Sequence, residues 1–434
     1  MSRDSATELD RRTLLKLTGG VGAAGTTVLA GCATTDDGAT ATPARSTTGG
    51  GADADTETGT EGDDPYRVGM VDALTGSLSA FGQRNQRGVD LALASINEVG
   101  VDGRDLELVV EDSGSQSSGG VSAAQKLVNQ DGVPFLIGAV GSGVSLSIYE
   151  SVVQGTDVVQ LSQNSTGLGL TDFPGLLRIS PTGRTQSTAL ADIIAEDGYD
   201  EVALTFVNNN YGQSLADAFK RAWSGSVAYE SPHDQDRQSY SGIINEMNRS
   251  GADAWLFVSY QPEFATMVNE LYSSGYEPQL YGADSVSGDD VLETTPEGSM
   301  EGMKIAVPSA PLEQDNYQAF VSRFESEYDE SPTVWSTYAY DAAVTAALSI
   351  QAAEEFTGAA LGDAVRDVTR SEGQAVTSYR AARDVLADGG APSDVDYQGV
   401  SGPVDIDENG DPTGFLQILE VTDHSYETTG FVES

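Results

Sequence analysis

The sequence predicts an α/β protein whose main part is built from two doubly wound lobes. From residue 66 onward, short apolar runs alternate with stretches of helical periodicity. Each run is apolar at successive positions, which is typical of parallel strands covered by helices on both faces. The series of strands and helices then restarts at residue 202, and two such blocks indicate two lobes.

The first block alternates strands and helices between residues 66 and 161. Val89, Leu93 and Ile96 recur at helical spacing, so they predict a helix with one apolar face. A Gly/Ser-rich turn separates this helix from the run before it. The block is predicted to contain strands at 67–71, 106–110, 135–138 and 158–161 and a second helix at 123–128.

The second block repeats the same alternation with longer helical stretches. Its predicted strands are at 202–207, 254–258 and 304–307, and its helices are at 214–223 and 263–274. A long helix at 337–356 and further helices up to residue 386 must pack back on one of the lobes. The part from 400 to 434 predicts only short strands.

Residues 1–32 are expected to be a processing signal rather than part of the fold. Arg11 and Arg12 form a twin-arginine pattern, and the apolar stretch 17–30 is shorter than the roughly 20 residues that a membrane helix needs. Leu29-Ala30-Gly31-Cys32 is similar to a lipoprotein cleavage box, so we expect lipidation of Cys32 and export after folding. The alternative is a chance run of small residues followed by a buried free cysteine.

Residues 33–64 predict a disordered acidic tether rich in Thr, Gly, Ala and Asp, because they contain almost no large apolar side chain to bury. No second hydrophobic span follows, so we expect the lobes to lie on the extracellular face of the cytoplasmic membrane. Cys32 is the only cysteine, which excludes an intrachain disulfide.

The charge balance is strongly acidic, with 67 acidic against 22 basic residues and a net charge of −45. Such a charge repels nucleic acids and anionic membrane surfaces, so these partners are not expected. Because apolar runs recur regularly, a disordered acidic chain is excluded for the main part. The pattern resembles that of proteins from extreme halophiles.

We therefore expect the fold to lose structure in dilute buffer. In concentrated salt the Debye length falls to about 3 Å, so repulsion among surface carboxylates costs little there. Circular dichroism during a titration from concentrated salt to dilute buffer measures the effect. A spectrum that does not change over the titration would contradict this prediction.

The sequence lacks the motifs of the common enzyme classes. No phosphate-binding loop, dinucleotide fingerprint, zinc-protease motif or nucleophile elbow is present, and the only histidines are His233 and His424. His233, next to a proline, is interpreted as a surface loop residue. The run 405–410 opens like a calcium loop, but its twelfth position is Leu416, so a polar turn is expected instead. We expect no cofactor, no metal and no enzyme, although a glycosidase-like carboxylate pair stays open.

Three polar loops follow predicted strands, where open parallel sheets bind their ligands. The loop 138–145 contains Ser142, and its small residues, amides and hydroxyls suit a carboxylate. On spacing alone, ordinary helix capping by Ser142 or Ser145 explains the loop better. The loop 162–167 places several hydroxyl and amide groups directly after the predicted strand at 158–161. In the second block, Tyr260 and Asp284 follow strands, and a carboxylate near an aromatic ring suits an ammonium group.

At these loops the chain resembles the leucine/isoleucine/valine-binding protein family, with the type I periplasmic-binding fold of two Rossmann-like lobes. The resemblance covers residues 66–414 and rests on short pieces in a fixed order. They are Val68-Gly69, Leu74-Thr75-Gly76, Phe81-Gly82, the helix end 92–100, Gly103-Arg104-Asp105-Leu106-Glu107-Leu108-Val109, Asn209-Asn210-Tyr211-Gly212 and Tyr340-Asp341-Ala342.

The resemblance implies a solute-binding protein that delivers a branched-chain or related amino acid to the permease and ATPase subunits of an ABC importer. It implies that Ser142 holds the ligand carboxylate, and that Tyr260 and Asp284 face its ammonium group. Asn164 and Thr166 fall on the loop that contacts both ends of the ligand. Phe81 and Tyr211 fall on the aromatic walls of the pocket.

Two departures from the family pattern concern the pocket. Asp284 stands where the family often has glutamate, so the shorter side chain changes its reach. Asn164 stands where the family has a small residue, and Asn164-Ser165-Thr166 is also a glycosylation sequon that we expect to be unused because a glycan would block the cleft.

The family fold also implies three crossings between the lobes, which we place at 179–182, 306–309 and 397–403. Lobe 1 is then expected at 65–180 and 308–398, and lobe 2 at 181–307 and 399–434. The same fold binding an amide, urea or small organic acid, or serving as a receptor domain, stays open as an alternative.

Overall fold

The computed structural model describes residues 64–433. The expected signal with Cys32, and the tether up to residue 63, lie outside the described residues. The strands are, in chain order, β1 Tyr66–Asp72, β2 Leu106–Asp112, β3 Phe135–Gly138, β4 Val159–Ser162, β5 Leu176–Arg178, β6 Glu201–Val207, β7 Ser226–His233, β8 Ala254–Val258, β9 Gln279–Gly282, β10 Lys304–Ser309, β11 Gln374–Val376, β12 Val395–Gly399, β13 Gly402–Pro403, β14 Phe415–Thr422 and β15 Ser425–Glu433.

Twelve α-helices cover these strands within residues 64–433. They are α1 Ser79–Asn97, α2 Ser117–Asn129, α3 Ser142–Ile148, α4 Gly183–Glu196, α5 Asn210–Ala222, α6 Ser241–Ser250, α7 Gln261–Ser274, α8 Asp289–Thr294, α9 Asp315–Tyr328, α10 Val334–Ala352, α11 Gly358–Asp367 and α12 Tyr379–Ala387.

Two separate sheets form the cores of two lobes. The first contains five parallel strands in the order β2-β1-β3-β4-β5. The second contains seven strands in the order β15-β14-β10-β9-β8-β6-β7. Every residue of β3, β4 and β8 is buried, because helices lie on both faces of each sheet. The predicted α/β fold class of two doubly wound lobes is confirmed.

Helix α10 packs against α1 of the first lobe and is buried along almost its whole length. Its small side chains allow the close approach. A Cβ atom added at Gly88 of α1 would lie only 2.2 Å from the carbonyl oxygen of Ser336. Glycine is therefore required where the two helices touch, and this contact fixes the position of α10 beside the first sheet.

The C-terminal part forms longer strands than the sequence predicted. β14 and β15 contain 8 and 9 residues and build an antiparallel hairpin. β14 also pairs antiparallel with β10, from Lys304–Glu420 to Ser309–Phe415, which adds the hairpin to the otherwise parallel sheet. Of the residues of β14, Leu416, Ile418 and Val421 are buried, and the alternation of burial shifts at the irregularity between Ile418 and Leu419.

The chain passes between the lobes at slightly different points from those expected. β10 continues in the second sheet to Ser309, so the second passage follows that residue instead of occupying 306–309. Residues 399–414, which we expected in lobe 2, contact the first lobe. The amide of Arg178 donates to the carbonyl of Gly410 at 3.0 Å, and the Arg178 guanidinium pairs with Asp411 at 2.6 Å. The chain enters the second sheet only at Phe415.

The interpretation of His233 as a surface loop residue was wrong. The side chain is buried at the end of β7, between the hydroxyls of Thr205 at 3.0 Å and Ser259 at 2.9 Å. Pro232 suggested a loop, but β7 is an edge strand of the sheet, where proline is tolerated. Burial lowers the pKa of His233 to about 4.

The expected polar turn at 405–410 is present. The Asp407 carboxylate accepts hydrogen bonds from the backbone amides of Asn409 at 2.8 Å and Asp411 at 2.9 Å, which closes the turn. In residues 64–433 no helix is long and apolar enough to cross a membrane.

Candidate ligand-binding site

A cavity lies between the lobes, next to the carboxyl ends of β3, β4, β8 and β9, and with the adjoining open solvent it contains about 300 Å³ of space free of protein atoms. All seven residues expected to bind a ligand line it, together with five that were not predicted. The lining residues are Leu78, Phe81, Val140, Gly141, Ser142, Asn164, Thr166, Tyr211, Tyr260, Asp284, Ser285 and Trp335.

The first lobe contributes hydroxyl groups held by two adjoining loops. Ser142 begins α3, and its Oγ accepts a hydrogen bond from the amide of Gly167 at 2.9 Å. The amide of Gly141 donates to the carbonyl of Asn164 at 3.1 Å, which ties the two loops together. Gly141 has φ 92°, a conformation that favours glycine. The Ser142 hydroxyl proton stays free to donate toward the cavity.

Asn164 is larger than the residue that the family pattern implies at this position. It is 8% exposed, and its side-chain amide lies 3.2 Å from that of Asn85 on α1. This contact holds the larger side chain against the first lobe. A glycan on Asn164 would have to displace these buried neighbours.

The second lobe contributes two stacked tyrosines. Tyr211 is the second residue of α5, and Tyr260 directly precedes α7. Their rings stack with centroids 5.5 Å apart and planes 16° apart. The Tyr260 hydroxyl accepts a hydrogen bond from Nδ2 of Asn209 at 2.9 Å. The Asn209 carbonyl side chain in turn caps α5 by accepting from the amide of Gly212 at 3.1 Å.

Asp284 follows β9 and is 1% exposed. Its Oδ1 accepts hydrogen bonds from the hydroxyl of Tyr211 at 2.7 Å and from Nε2 of Gln186 at 2.9 Å. Tyr211 therefore positions the carboxylate as well as lining the cavity. Gln186, which reaches Asp284 from α4, was not predicted, because nothing in its local sequence marks it as different from other helical glutamines.

The electrostatics of Asp284 are those of a buried carboxylate without a counter-ion. Within residues 64–433 no basic side chain forms an ion pair with it, and burial raises its pKa. Burial also raises the pKa of Tyr211 well above its usual value, so the phenol keeps its proton and donates it. A buried carboxylate costs free energy unless a positive group approaches it.

Trp335 has the largest side chain among the lining residues that the sequence analysis did not predict. Its ring packs edge-to-face on Phe81, with centroids 6.0 Å apart and planes at 90°. The predicted helix began at 337, whereas α10 begins at Val334 after the capping residue Thr333, whose hydroxyl accepts from the amide of Ser336. The Thr-Val-Trp sequence with its N-cap was the signal that could have found it.

Hydrogen bonds join the two lobes at the rim of the cavity. Nε2 of Gln235 in the second lobe donates to the hydroxyl of Ser77 in the first at 2.8 Å. The amide of Leu168 donates to the hydroxyl of Ser214 at 3.2 Å. The described part of the chain holds no cluster of three or more His, Cys, Asp or Glu side chains that could bind a metal ion.

A family model described as periplasmic binding protein matches residues 65–418. The chain belongs to the periplasmic binding protein family. Members of this family bind solutes and are not enzymes. The Leu/Ile/Val-binding protein homolog 3 of Brucella melitensis is 29% identical over 230 residues, which are 51% of this chain and 61% of that relative. The resemblance drawn from the sequence motifs is thereby confirmed, and the chain spans about three fifths of that relative's length.

Solved structures share the fold of this family member. A branched-chain amino acid transporter substrate binding protein of Streptococcus pneumoniae, in complex with isoleucine, has a TM-score of 0.73 at 20% identity, covering 86% of this chain and 100% of its own. A solute binding protein of R. palustris in complex with benzoate has a TM-score of 0.70 at 17% identity, covering 85% and 97%. These likenesses show the type I periplasmic-binding fold.

Proposed function

We propose that this periplasmic binding protein is the extracellular solute-binding component of an ABC importer and captures a branched-chain or related amino acid. The observation that carries the proposal is the polarity of the cavity. Hydroxyls of Ser142 and Thr166 lie on the first-lobe side, and the unpaired carboxylate of Asp284 lies on the second-lobe side. That arrangement is complementary to a zwitterion.

In the proposed complex the ligand carboxylate accepts hydrogen bonds from Ser142 and Thr166. Its ammonium group pairs with Asp284 and lies near the tyrosine rings, so the charge that is unpaired in the free protein gains a partner. The ligand binds the first lobe first, and the second lobe then closes over it. Closure is driven by contacts that exist only in the closed state, such as the ammonium contact.

We also propose the cellular setting from the sequence. The twin-arginine pattern and the box ending at Cys32 support export and a lipid anchor that tethers the lobes to the membrane. Translocation energy is supplied by a separate ATPase subunit, since the sequence has no phosphate-binding loop of its own.

Isothermal titration calorimetry with a panel of amino acids tests the proposal. The named relative and the isoleucine-bound structure support branched-chain amino acids as the first compounds to titrate. A complete absence of heat with amino acids, short peptides and amides would overturn the transport function.

A small organic acid is the second candidate, favoured by the benzoate-bound neighbour. Such a ligand would use the hydroxyl side of the cavity and leave Asp284 without a partner. The buried carboxylate therefore favours the amino acid over the organic acid, since an anion beside it would be repelled.

The affinity for amino acids should fall as the pH is lowered. Burial raises the pKa of Asp284, so the carboxylate takes up a proton at a higher pH than usual. The ligand ammonium binds only the ionised form of Asp284. Below the pKa that Asp284 has in the free protein, each pH unit should weaken binding by up to about tenfold. Tyr211 and Tyr260, whose pKa values burial raises, keep their protons throughout.

Calorimetry between neutral and mildly acidic pH measures this dependence, with circular dichroism to verify the fold at each pH. The Asp284→Asn protein supplies the control, because its residual affinity should not vary over the same range. Wild-type affinity that is constant down to the onset of acid unfolding would contradict the proposed ammonium contact.

A further inference from the structure

A second, larger chamber adjoins the ligand cavity. With the adjoining open solvent it contains about 980 Å³ of space free of protein atoms, and Phe81 and Trp335 line both spaces. The edge-to-face pair of these two rings is therefore the shared wall. The other side of the chamber is formed by the second lobe, including Gln261, Gly288 and Tyr426.

Arg84 is the only basic side chain among the described residues that line the two spaces. It lies three residues after Phe81 on α1, so both side chains project from the same face of the helix. The chain has 22 basic residues against 67 acidic ones, so a basic side chain in the wall of this chamber is unusual.

The Arg84 guanidinium has little to bind within the protein. Its side chain is only 17% exposed, and its one ion-pair partner in residues 64–433 is Asp289, whose Oδ2 lies 3.9 Å away and whose side chain is 78% exposed. No hydrogen bond to this guanidinium is formed within the described part of the chain. By contrast, the buried Arg178 donates to Asp411, Thr171 and two carbonyl oxygens.

We propose that the chamber receives the far end of an extended ligand, and that Arg84 binds a carboxylate or amide oxygen there. This inference rests on the proposed function, because the zwitterionic head of the ligand stays between Ser142 and Asp284. Rotation of the Phe81 or Trp335 ring opens the cavity toward Arg84. A guanidinium presents paired donors that match a carboxylate, so among the related amino acids the proposed substrates include those whose side chain ends in an acceptor group.

The competing role for Arg84 is that of a latch, an ion pair with Asp289 of the second lobe that holds the two lobes together. A separation of 3.9 Å to a largely exposed carboxylate is typical of a weak surface pair. A latch would also leave the chamber unexplained. The two roles differ in whether the effect of a substitution depends on the ligand.

The test compares two matched ligand series by calorimetry in concentrated salt. The first is glutamate, 2-aminoadipate and 2-aminopimelate, and the second is norvaline, norleucine and 2-aminoheptanoate. We expect a diacid to bind at least tenfold more tightly than its apolar counterpart. Arg84→Gln should remove that preference and change the affinity for the apolar series less than twofold. Arg380→Gln, at an exposed arginine of the first lobe paired with Glu98, controls for the loss of one charge.

Asp289→Asn separates a ligand contact from a latch. It should increase the affinity for the diacids, because a repelling carboxylate is removed from the chamber. Equal losses for both ligand series in Arg84→Gln and Asp289→Asn would establish a latch and overturn the inference. Diacids that bind no better than their apolar counterparts would also overturn it and leave the proposed function intact. If neither series binds, the inference is overturned, and the proposed function is then decided by the wider panel of amino acids, short peptides and amides.

Discussion

Replacing Asp284 by asparagine should reduce the affinity for amino acids by at least about thirtyfold. Loss of one partner from a buried charge pair costs about 2–5 kcal/mol or more, and in the proposed complex Asp284 is the only carboxylate opposite the ligand ammonium. Asparagine has the same shape, and its carbonyl can still accept from Tyr211 and Gln186 as Asp284 does at 2.7 and 2.9 Å. Calorimetry with leucine, isoleucine and valine measures the loss.

The free Asp284→Asn protein should be at least as stable as the wild type. The substitution removes a buried charge that has no counter-ion in the described residues, and such a charge opposes folding. Thermal unfolding therefore separates loss of binding from loss of structure. Asp284→Glu, which keeps the negative charge, should retain binding. Unchanged affinity in Asp284→Asn would show that the ligand is neutral at this end, as an amide or urea would be.

Many elements of the lobes could be predicted because inner strands such as β3, β4 and β8 are buried on both faces. The predicted strand at 254–258 coincides with β8, and those at 106–110 and 202–207 lie within β2 and β6. An uninterrupted apolar run leaves little choice of structure when helices cover both faces. The hairpin of β14 and β15 was underestimated because only Leu416, Ile418 and Val421 of β14 are buried, and such a pattern gives a weaker signal than a continuous run.

The site could be predicted only as far as the order of motifs along the chain allowed. Ser142 and Asp284 lie 142 positions apart in sequence, as their numbers show, yet both line one cavity. The family pattern brought them together, whereas the residues alone suggested only capped helices and polar loops. The supporting partners Gln186 and Trp335 were missed, since each acts through a contact between elements distant in sequence.

Asp341 belongs to the motif Tyr340-Asp341-Ala342, and its contacts stabilise the fold instead of lining the ligand cavity. This residue of α10 is fully buried, and its carboxylate accepts four hydrogen bonds from the segment that returns toward the second lobe. The donors are the hydroxyl of Tyr397 at 2.7 Å, the amide of Val400 at 3.1 Å, the amide of Ser401 at 2.7 Å and the hydroxyl of Ser401. Burial raises its pKa to about 6, so the carboxylate is ionised and accepts all four at neutral pH.

Asp341→Ala should lower the free energy of unfolding by about 3–5 kcal/mol, because it leaves several buried donors without an acceptor. Urea unfolding in concentrated salt, followed by circular dichroism, measures the change. Glu355→Ala, at an exposed acid beyond the end of the same helix, removes one negative charge without these contacts and should change the stability by less than about 0.5 kcal/mol. Equal stabilities for the two variants would show that the four hydrogen bonds do not hold this segment. A destabilised Asp341→Ala protein that still binds amino acids with unchanged affinity when folded would place the role of Asp341 in the architecture and not in the cavity.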